Sequence, residues 1–457
     1  AGALEREPHQ RLVVDGMRFA RWWSGDSWAF DAMPFHSCEN CFEGDRPPVA
    51  TEEVDVAIVG GGLSGLACAY LLRHRDIVLL EMRDRLGGNA MGERWDGVPY
   101  SLGSAYFIAP DPGTFLESLY RELGFAPGVA VDEGELAVVL NGAIVPNVLA
   151  APGVPPDQQA LFRKYADLVT HYAERAYPEI PLPDGERADW ILRLDEVSLR
   201  SDIERKIGAP IPPLLAAAVQ AYCYSSFGAG WDEISAASGW NFIAAEEFGR
   251  WILPGGNAGL AEALWRPLRA AETAHGKPLV RTGCRVVDVR LAPDDRVQVT
   301  WRDGAGALHA LRARHVIMAN SKHVAKWMIH DLDALDAAKL DAMHNVPTSA
   351  YVVANVLLSR PVPHEFYDLF LLDNGTFPMD PIEAESRSAV VDVLNGEFSG
   401  GNGRPSTVLT LYWPLPWPAA RFTIAEASSL EEYATRLAPQ VRRMLETLDV
   451  GAEAVRQ

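Results

Sequence analysis

Val54-Asp55-Val56-Ala57-Ile58-Val59-Gly60-Gly61-Gly62-Leu63-Ser64-Gly65 decides the fold. A short apolar strand ends in a glycine cluster, and the run from Leu63 to Arg73 beyond it reads as a helix. Gly60, Gly62 and Gly65 satisfy G-x-G-x-x-G at a strand-to-helix junction. Gly60 permits the tight turn, Gly62 lets the backbone approach a pyrophosphate, and Gly65 allows the helix to pack closely on the strand. The free N–H groups at the helix start then hold phosphate. A second buried strand, Ile77 to Leu80, ends in Glu81, 21 residues after Gly60. That is close to the spacing of about 20 residues expected of an acid that hydrogen-bonds a ribose 2′-hydroxyl. A carboxylate there disfavours a 2′-phosphate.

The surrounding chain is large enough for more than this one unit. Its 457 residues, 48% hydrophobic, predict two or three domains with sizeable cores and exclude disordered and collagen-like classes. A formal net charge of −20, with no basic stretch, argues against a nucleic-acid partner. The apolar stretches, such as Leu214 to Val219 and Leu136 to Leu140, break off well before the roughly 18 residues of a membrane span. The expectation is a soluble protein without a transmembrane segment, cytoplasmic or exported after leader removal, with the compartment left open. The five cysteines, at 38, 41, 68, 223 and 284, are too scattered for a disulfide framework. His36, Cys38 and Cys41 offer three metal ligands but no second pair, so no metal is assigned and a disulfide or two buried thiols is expected instead.

Working outward, residues 1–50 read as an irregular aromatic-rich arm carrying Trp22, Trp23, Trp28, Phe30, Phe35 and Phe42. From Leu116 to Arg269 the pattern is mostly helical, punctuated by proline-rich stretches. Strands return at Leu279 to Leu291, Arg296 to Trp301 and His315 to Ala319, with Asp303-Gly304 as a turn. Ala350 to Leu358 and Thr407 to Trp413 predict another sheet. A capping-box pair, Ser429 and Glu432, opens a final amphipathic helix that Pro439 should kink.

The residues beyond Glu81 narrow the choice of dinucleotide. Glu81-Met82-Arg83-Asp84-Arg85-Leu86-Gly87-Gly88-Asn89 resembles the E-A-R-D-R-x-G-G-R continuation of the flavin amine oxidase superfamily, which also holds protoporphyrinogen oxidases and phytoene-type desaturases. Asp96-Gly97 and Leu102-Gly103-Ser104-Ala105-Tyr106 resemble the family's D-x-G segment, whose backbone approaches the flavin ring. Pro254-Gly255-Gly256-Asn257 resembles its hinge back into the FAD domain. Val286 to Val289 resembles the strand whose backbone meets the adenine, and Val316 to Ala319 its returning strand. The resemblance spans residues 54 to about 330 in the right order. It implies an α/β fold: a Rossmann-like FAD-binding domain of the glutathione-reductase type with an inserted α+β substrate domain. The expected division is the arm, 51–125 plus 254–325 for FAD, 126–253 as a helical substrate subdomain, 326–428 as a β-rich substrate subdomain, and 429–457 as a C-terminal helix.

Carried over residue by residue, the resemblance assigns FAD to Gly60, Gly61, Gly62, Ser64, Gly65, Glu81, Met82, Arg83, Gly87, Gly88, Asn89, Gly103, Ser104, Ala105, Tyr106 and Val286. Asn89 stands where the family usually has Arg, so one charge-assisted contact becomes a neutral hydrogen bond. Several family members place a lysine, bridged by water to flavin N5, shortly after the returning strand. Lys326 and Lys322, two of only six lysines, fall in that region. Tyr106, Trp240, Trp251 and Trp413 are candidate pocket aromatics, although such residues are more often core. The family closes its flavin site with a carboxyl-terminal strand and helix, and nothing after Gly304 fits that pattern. The expectation is that this closing segment is absent from the sequence, leaving the flavin's pyrimidine end to solvent or a partner chain.

The leading functional expectation is an FAD-dependent amine oxidase or dehydrogenase moving a hydride from an amine, such as a polyamine or amino acid, to flavin N5. The acidic surface would attract such cationic substrates. The alternatives are a desaturase or protoporphyrinogen-oxidase-like enzyme on an apolar substrate, and a non-catalytic flavin-holding subunit whose arm binds a partner. The electron acceptor stays unassigned.

Overall fold

The computed structural model describes residues 11–20, 46–125, 130–132, 136–151, 153–346, 348–372, 389–396, 406–415 and 429–456. Part of the arm is regular: β1 (Arg11–Val14) and β2 (Met17–Ala20) form an antiparallel hairpin. The Asp15-Gly16 pair turns it, with both residues at positive φ, 50° and 79°. An Asp-Gly dipeptide between apolar runs is the sequence signal for such a turn, and it corrects the reading of an irregular segment here. The arm's tryptophans, His36, Cys38 and Cys41 lie outside the described residues.

The β-α-β unit forms as expected, from β3 (Glu52–Val59), α1 (Leu63–Leu71) and β4 (Ile77–Leu80). Val56 to Val59 and all of β4 are buried, as suits parallel strands covered on both faces. Two short hairpin strands, β5 (Gly92–Trp95) and β6 (Val98–Ser101), lead into β7 (Tyr106–Ile108). After α2 (Phe115–Glu122) come β8 (Ala130–Asp132) and the hairpin β9 (Val138–Leu140) with β10 (Ala143–Val145).

Five helices come next: α3 (Pro156–Glu174), α4 (Glu186–Asp195), α5 (Leu199–Ile207), α6 (Pro213–Phe227) and α7 (Ala236–Glu246). Proline at the first position opens α3 and α6, where its missing N–H costs nothing. Their shared core includes Phe162, Tyr172, Leu199, Trp231 and Trp240. The fully buried Asp202 is tied there by Trp240 Nε1 and Tyr172 Oη, each at 2.9 Å, and by Lys206 Nζ at 3.1 Å.

The chain returns to the nucleotide domain through β11 (Arg250–Ile252), α8 (Ala258–His275), β12 (Val280–Arg281), β13 (Arg285–Leu291), β14 (Val297–Arg302) and β15 (Leu308–Met318). The run Leu279 to Leu291, read as one strand, divides, because Gly283 at φ 70° breaks it. The central sheet has the order β12-β4-β3-β15-β14-β13, with β15 parallel to β3 and Met318 opposite Val59. Two helices, α9 (Lys322–Met328) and α10 (Leu332–Asn345), lead out of this sheet.

The second six-stranded sheet adds β16 (Tyr351–Leu358), β17 (Asp368–Leu372), β18 (Asp392–Asn395) and β19 (Thr407–Pro414), ordered β10-β9-β17-β18-β19-β16. Thus β9 and β10, expected within a helical subdomain, belong to the β-rich sheet through the parallel pairing of Phe370 with Val138. Helix α11 (Ser429–Thr447) runs through Pro439 and buries Leu437, Val441 and Leu445. It packs against β1, and Arg442 lies 3.6 Å from Asp15. No helix among the described residues is long and apolar enough to cross a membrane.

Candidate active site

The glycine cradle is built by close approach of backbones. Gly60 sits at φ 108°, and a Cβ there would lie 2.9 Å from the Ala319 carbonyl oxygen. A Cβ on Gly65 would fall 1.9 Å from the Gly60 oxygen, so only glycine lets α1 start against the turn. Gly62 caps α1 without a side-chain hydrogen bond and no acid stands in its first turn, which leaves the positive end of the helix to an anion. A Cβ on Gly88 would meet the Gly62 Cα at 3.0 Å. Glu81, 8% exposed, is fixed from both sides: the N–H of Gly61 donates to Oε2 at 2.6 Å and that of Arg83 to Oε1 at 2.8 Å. Each oxygen keeps a second lone pair for a ribose hydroxyl.

The segment 103–106 is held by the hinge. The Asn257 N–H donates to the Ser104 carbonyl at 2.9 Å, and its Nδ2 donates to Ser104 Oγ at 2.6 Å and to the Tyr106 carbonyl at 2.7 Å. Gly256, at φ 63°, allows this contact, since a Cβ would lie 2.6 Å from the Ser104 oxygen. From the second sheet, the Tyr412 hydroxyl donates to the Gly103 carbonyl.

Cradle, segment and second sheet enclose one cavity of about 1410 Å³. Strand alternation sets its floor: Tyr351, Val353 and Asn355 on β16, Asp368 and Phe370 on β17, Asp392 on β18 and Tyr412 on β19 share a face and line it. Because β16 is an edge strand, the cavity also wraps to the other face, where Val352, Ala354 and Val356 meet Leu430, Leu437 and Val441. Tyr222, Ser225 and Phe242 close the substrate end from α6 and α7.

Beside that end lies a buried charge cluster. Arg250 Nη1 lies 2.5 Å from Asp368 Oδ2, and its Nε is 3.3 Å from Glu246. The Tyr106 hydroxyl donates to Glu246 Oε1 at 2.9 Å. Burial, with the Asp368 charge, pushes Glu246 up to about 8 against the Tyr106 hydrogen bond. Burial and the negative Glu246 hold the Tyr106 hydroxyl protonated. Asp392 accepts from Ser225 Oγ at 2.8 Å and is raised by burial and then by Asp368.

Of the residues assigned from sequence, Gly60, Gly61, Gly62, Glu81, Met82, Arg83, Gly88, Asn89, Gly103, Ser104, Ala105 and Tyr106 line this cavity together. Ser64, Gly65 and Gly87 are not among the lining residues: Ser64 is exposed on α1, Gly65 packs on the Gly60 carbonyl and the Gly87 N–H donates to the Gly61 carbonyl at 2.9 Å, while Val286 is buried in the core with Val59, Leu80 and Met82. Lys322 is exposed, with Nζ 3.3 Å from the Met318 carbonyl, and Lys326 lies 5.5 Å from the Trp327 ring. The structure brings neither lysine to the cavity; Asn320, Ser321 and His323 line it instead. The two lysines share one face of α9 by their i, i+4 spacing, while Ala325 and Met328 turn inward. Trp240 and Trp413 are core, stacked on Tyr172 and edge-on to Tyr433, and Trp251 is partly buried in a cluster with Phe107 and Tyr120. Sequence reading missed the substrate end. Its one signal was an aspartate inside an apolar run, as in Val390-Val391-Asp392-Val393-Leu394.

The family profile for flavin containing amine oxidoreductases matches residues 63–456. The chain belongs to that family. It is 23% identical over 387 residues to the oxidoreductase PigB of Serratia sp., which is 72% of this chain and 55% of PigB. The chain thus matches about half the length of that curated relative. Among solved structures it is similar to wild-type putrescine oxidase bound to putrescine (19% identity, TM-score 0.58, 88% of this chain and 82% of the other). It is equally similar to cyclohexylamine oxidase from Brevibacterium oxydans (19%, 0.58, 88% and 83%). At that identity the likeness speaks for the fold: an α/β architecture of the amine oxidase kind.

Proposed function

We propose that the protein binds FAD without a covalent bond and oxidises an amine at the carbon bearing nitrogen. One observation carries this reading: the dinucleotide cradle, the 103–106 segment and the polar floor of the second sheet line a single cavity. The cradle fits the cofactor. Glu81 would take the adenosine ribose, the start of α1 the pyrophosphate, and the backbone of Gly103 to Tyr106 the flavin ring, while Asn320, whose buried Oδ1 has no partner among the described residues, lines the same space. When bound, the flavin supplies a two-electron acceptor for hydride. The chain supplies orientation and a dry site. Tyr222, Phe242, Tyr351, Phe370 and Tyr412 wall off water, and the buried carboxyl groups offer hydrogen bonds that an amine can meet and an all-apolar substrate cannot.

Anaerobic titration of the flavin-loaded protein with amines, isoprenoids and porphyrinogens tests this. Bleaching of the flavin by amines is expected. Bleaching only by another class, or by none, overturns it.

A further inference from the structure

We propose that Asp392 seats the nitrogen of the substrate, which arrives as an ammonium and leaves its proton on the carboxylate before hydride departs from the adjacent carbon, and that the substrate is an amine with a single cationic group on an apolar body. The proposal rests on the amine reading above and narrows it. Asp392 is 3% exposed and lines the cavity; the Leu369 N–H lies near its carboxyl, but Oδ1 makes no hydrogen bond of ordinary geometry with the described residues. A buried carboxylate oxygen left unmatched is costly, and an N–H donor bearing positive charge offsets that cost best.

The neighbouring carboxylates are already committed. Asp368 is paired with Arg250 at 2.5 Å, and Glu246 accepts from Tyr106 and stands beside the same guanidinium. Ser225 takes the other oxygen of Asp392. Room therefore exists for one ammonium at this point, which disfavours a polyamine.

The rest of the pocket speaks against an amino acid. Among the described residues the basic side chains lining the cavity are Arg18 on the hairpin, Arg83 beside Glu81 and His323 after β15, none of them on the sheet face that holds Asp392. Next to Asp392 the wall is aromatic. Phe370 is its direct cross-strand neighbour, and Tyr222 lies 5.7 Å from Phe370 and 5.9 Å from Phe242, ring to ring. Tyr412, the neighbour on the other side, reaches the Gly103 carbonyl, so the seat lies beside the 103–106 segment.

The test is binding to the FAD-loaded protein of tert-octylamine, which has no hydrogen on the carbon bearing nitrogen and cannot be dehydrogenated. Calorimetry and the perturbed flavin spectrum read its affinity. The corresponding tertiary alcohol serves as the neutral isostere. Asp392→Asn should weaken the amine at least tenfold and leave the alcohol unchanged; 1,8-diaminooctane and a long-chain amino acid should bind no tighter than n-octylamine. Unchanged amine affinity in Asp392→Asn, or a clear preference for the diamine or amino acid, overturns the proposal. Should Asp392→Asn fail to retain FAD, equal wild-type affinity for amine and alcohol does the same. Intact tert-octylamine binding with no oxidation of any amine would defeat the proposed function and spare this one.

Discussion

The two ends of the cavity are built in opposite ways. The nucleotide end comes mainly from one stretch, residues 54 to 89, whose glycines are required because backbone meets backbone at Gly65 and Gly88 within it and at Gly60 against Ala319. At the substrate end, Glu246, Arg250, Asp368 and Asp392 arrive from α7, β11, β17 and β18 and acquire their properties only by being buried together. Local geometry makes the first site; long-range desolvation makes the second.

Substitutions that separate these two logics should differ in size and in kind. Gly65→Ala drives a Cβ into the Gly60 carbonyl. We expect loss of flavin retention after dialysis and destabilisation of about 3 kcal/mol or more, at or above the usual range for overpacking. Gly304→Ala, where nothing lies within 4 Å, should be neutral by both readouts and serves as the control. Retained flavin in Gly65→Ala would mean that the turn tolerates a shift of α1.

Glu246→Gln probes the other end through pH. A carboxyl near 8 in the folded protein and near 4.5 when unfolded stays protonated longer in the folded state. Its contribution is complete below pH 4.5 and is lost as pH rises through 8. Denaturant unfolding of the wild type should therefore show stability falling across that window, by on the order of 5 kcal/mol from this group. Glu246→Gln should flatten the fall without abolishing it, because Asp392 is shifted in the same direction. An unchanged slope would show that Glu246 titrates normally.

The smallest effect concerns α9. Lys322→Met and Lys326→Met should leave the rate of flavin reduction by an amine within about twofold, as expected for side chains outside the cavity. A tenfold loss in stopped-flow measurements would restore a lysine to the reaction.

Much of the nucleotide site is legible in the sequence. The glycine spacing and Glu81 act within one short segment, the hinge at Pro254 to Asn257 acts on segment 103–106 through the Asn257 backbone and side chain, and the structure brings the cradle and segment 103–106 to one cavity. Less legible is anything dependent on which face an element turns inward. The i, i+4 pair Lys322 and Lys326 stands at a plausible distance from the returning strand, yet packing of Ala325 and Met328 rotates them away. Trp240 and Trp413 are pocket candidates by type and core residues by position.

By itself, then, the sequence determined the dinucleotide cradle, because turn and phosphate-binding geometry are written in consecutive residues at each of which only one backbone conformation fits. Only the tertiary structure decided the chemistry of the substrate end. Pairing of β17, β18 and β19 puts Asp368, Phe370, Asp392 and Tyr412 on one floor, and each carboxylate there is bound by a partner more than a hundred residues away, Arg250 for Asp368 and Ser225 for Asp392.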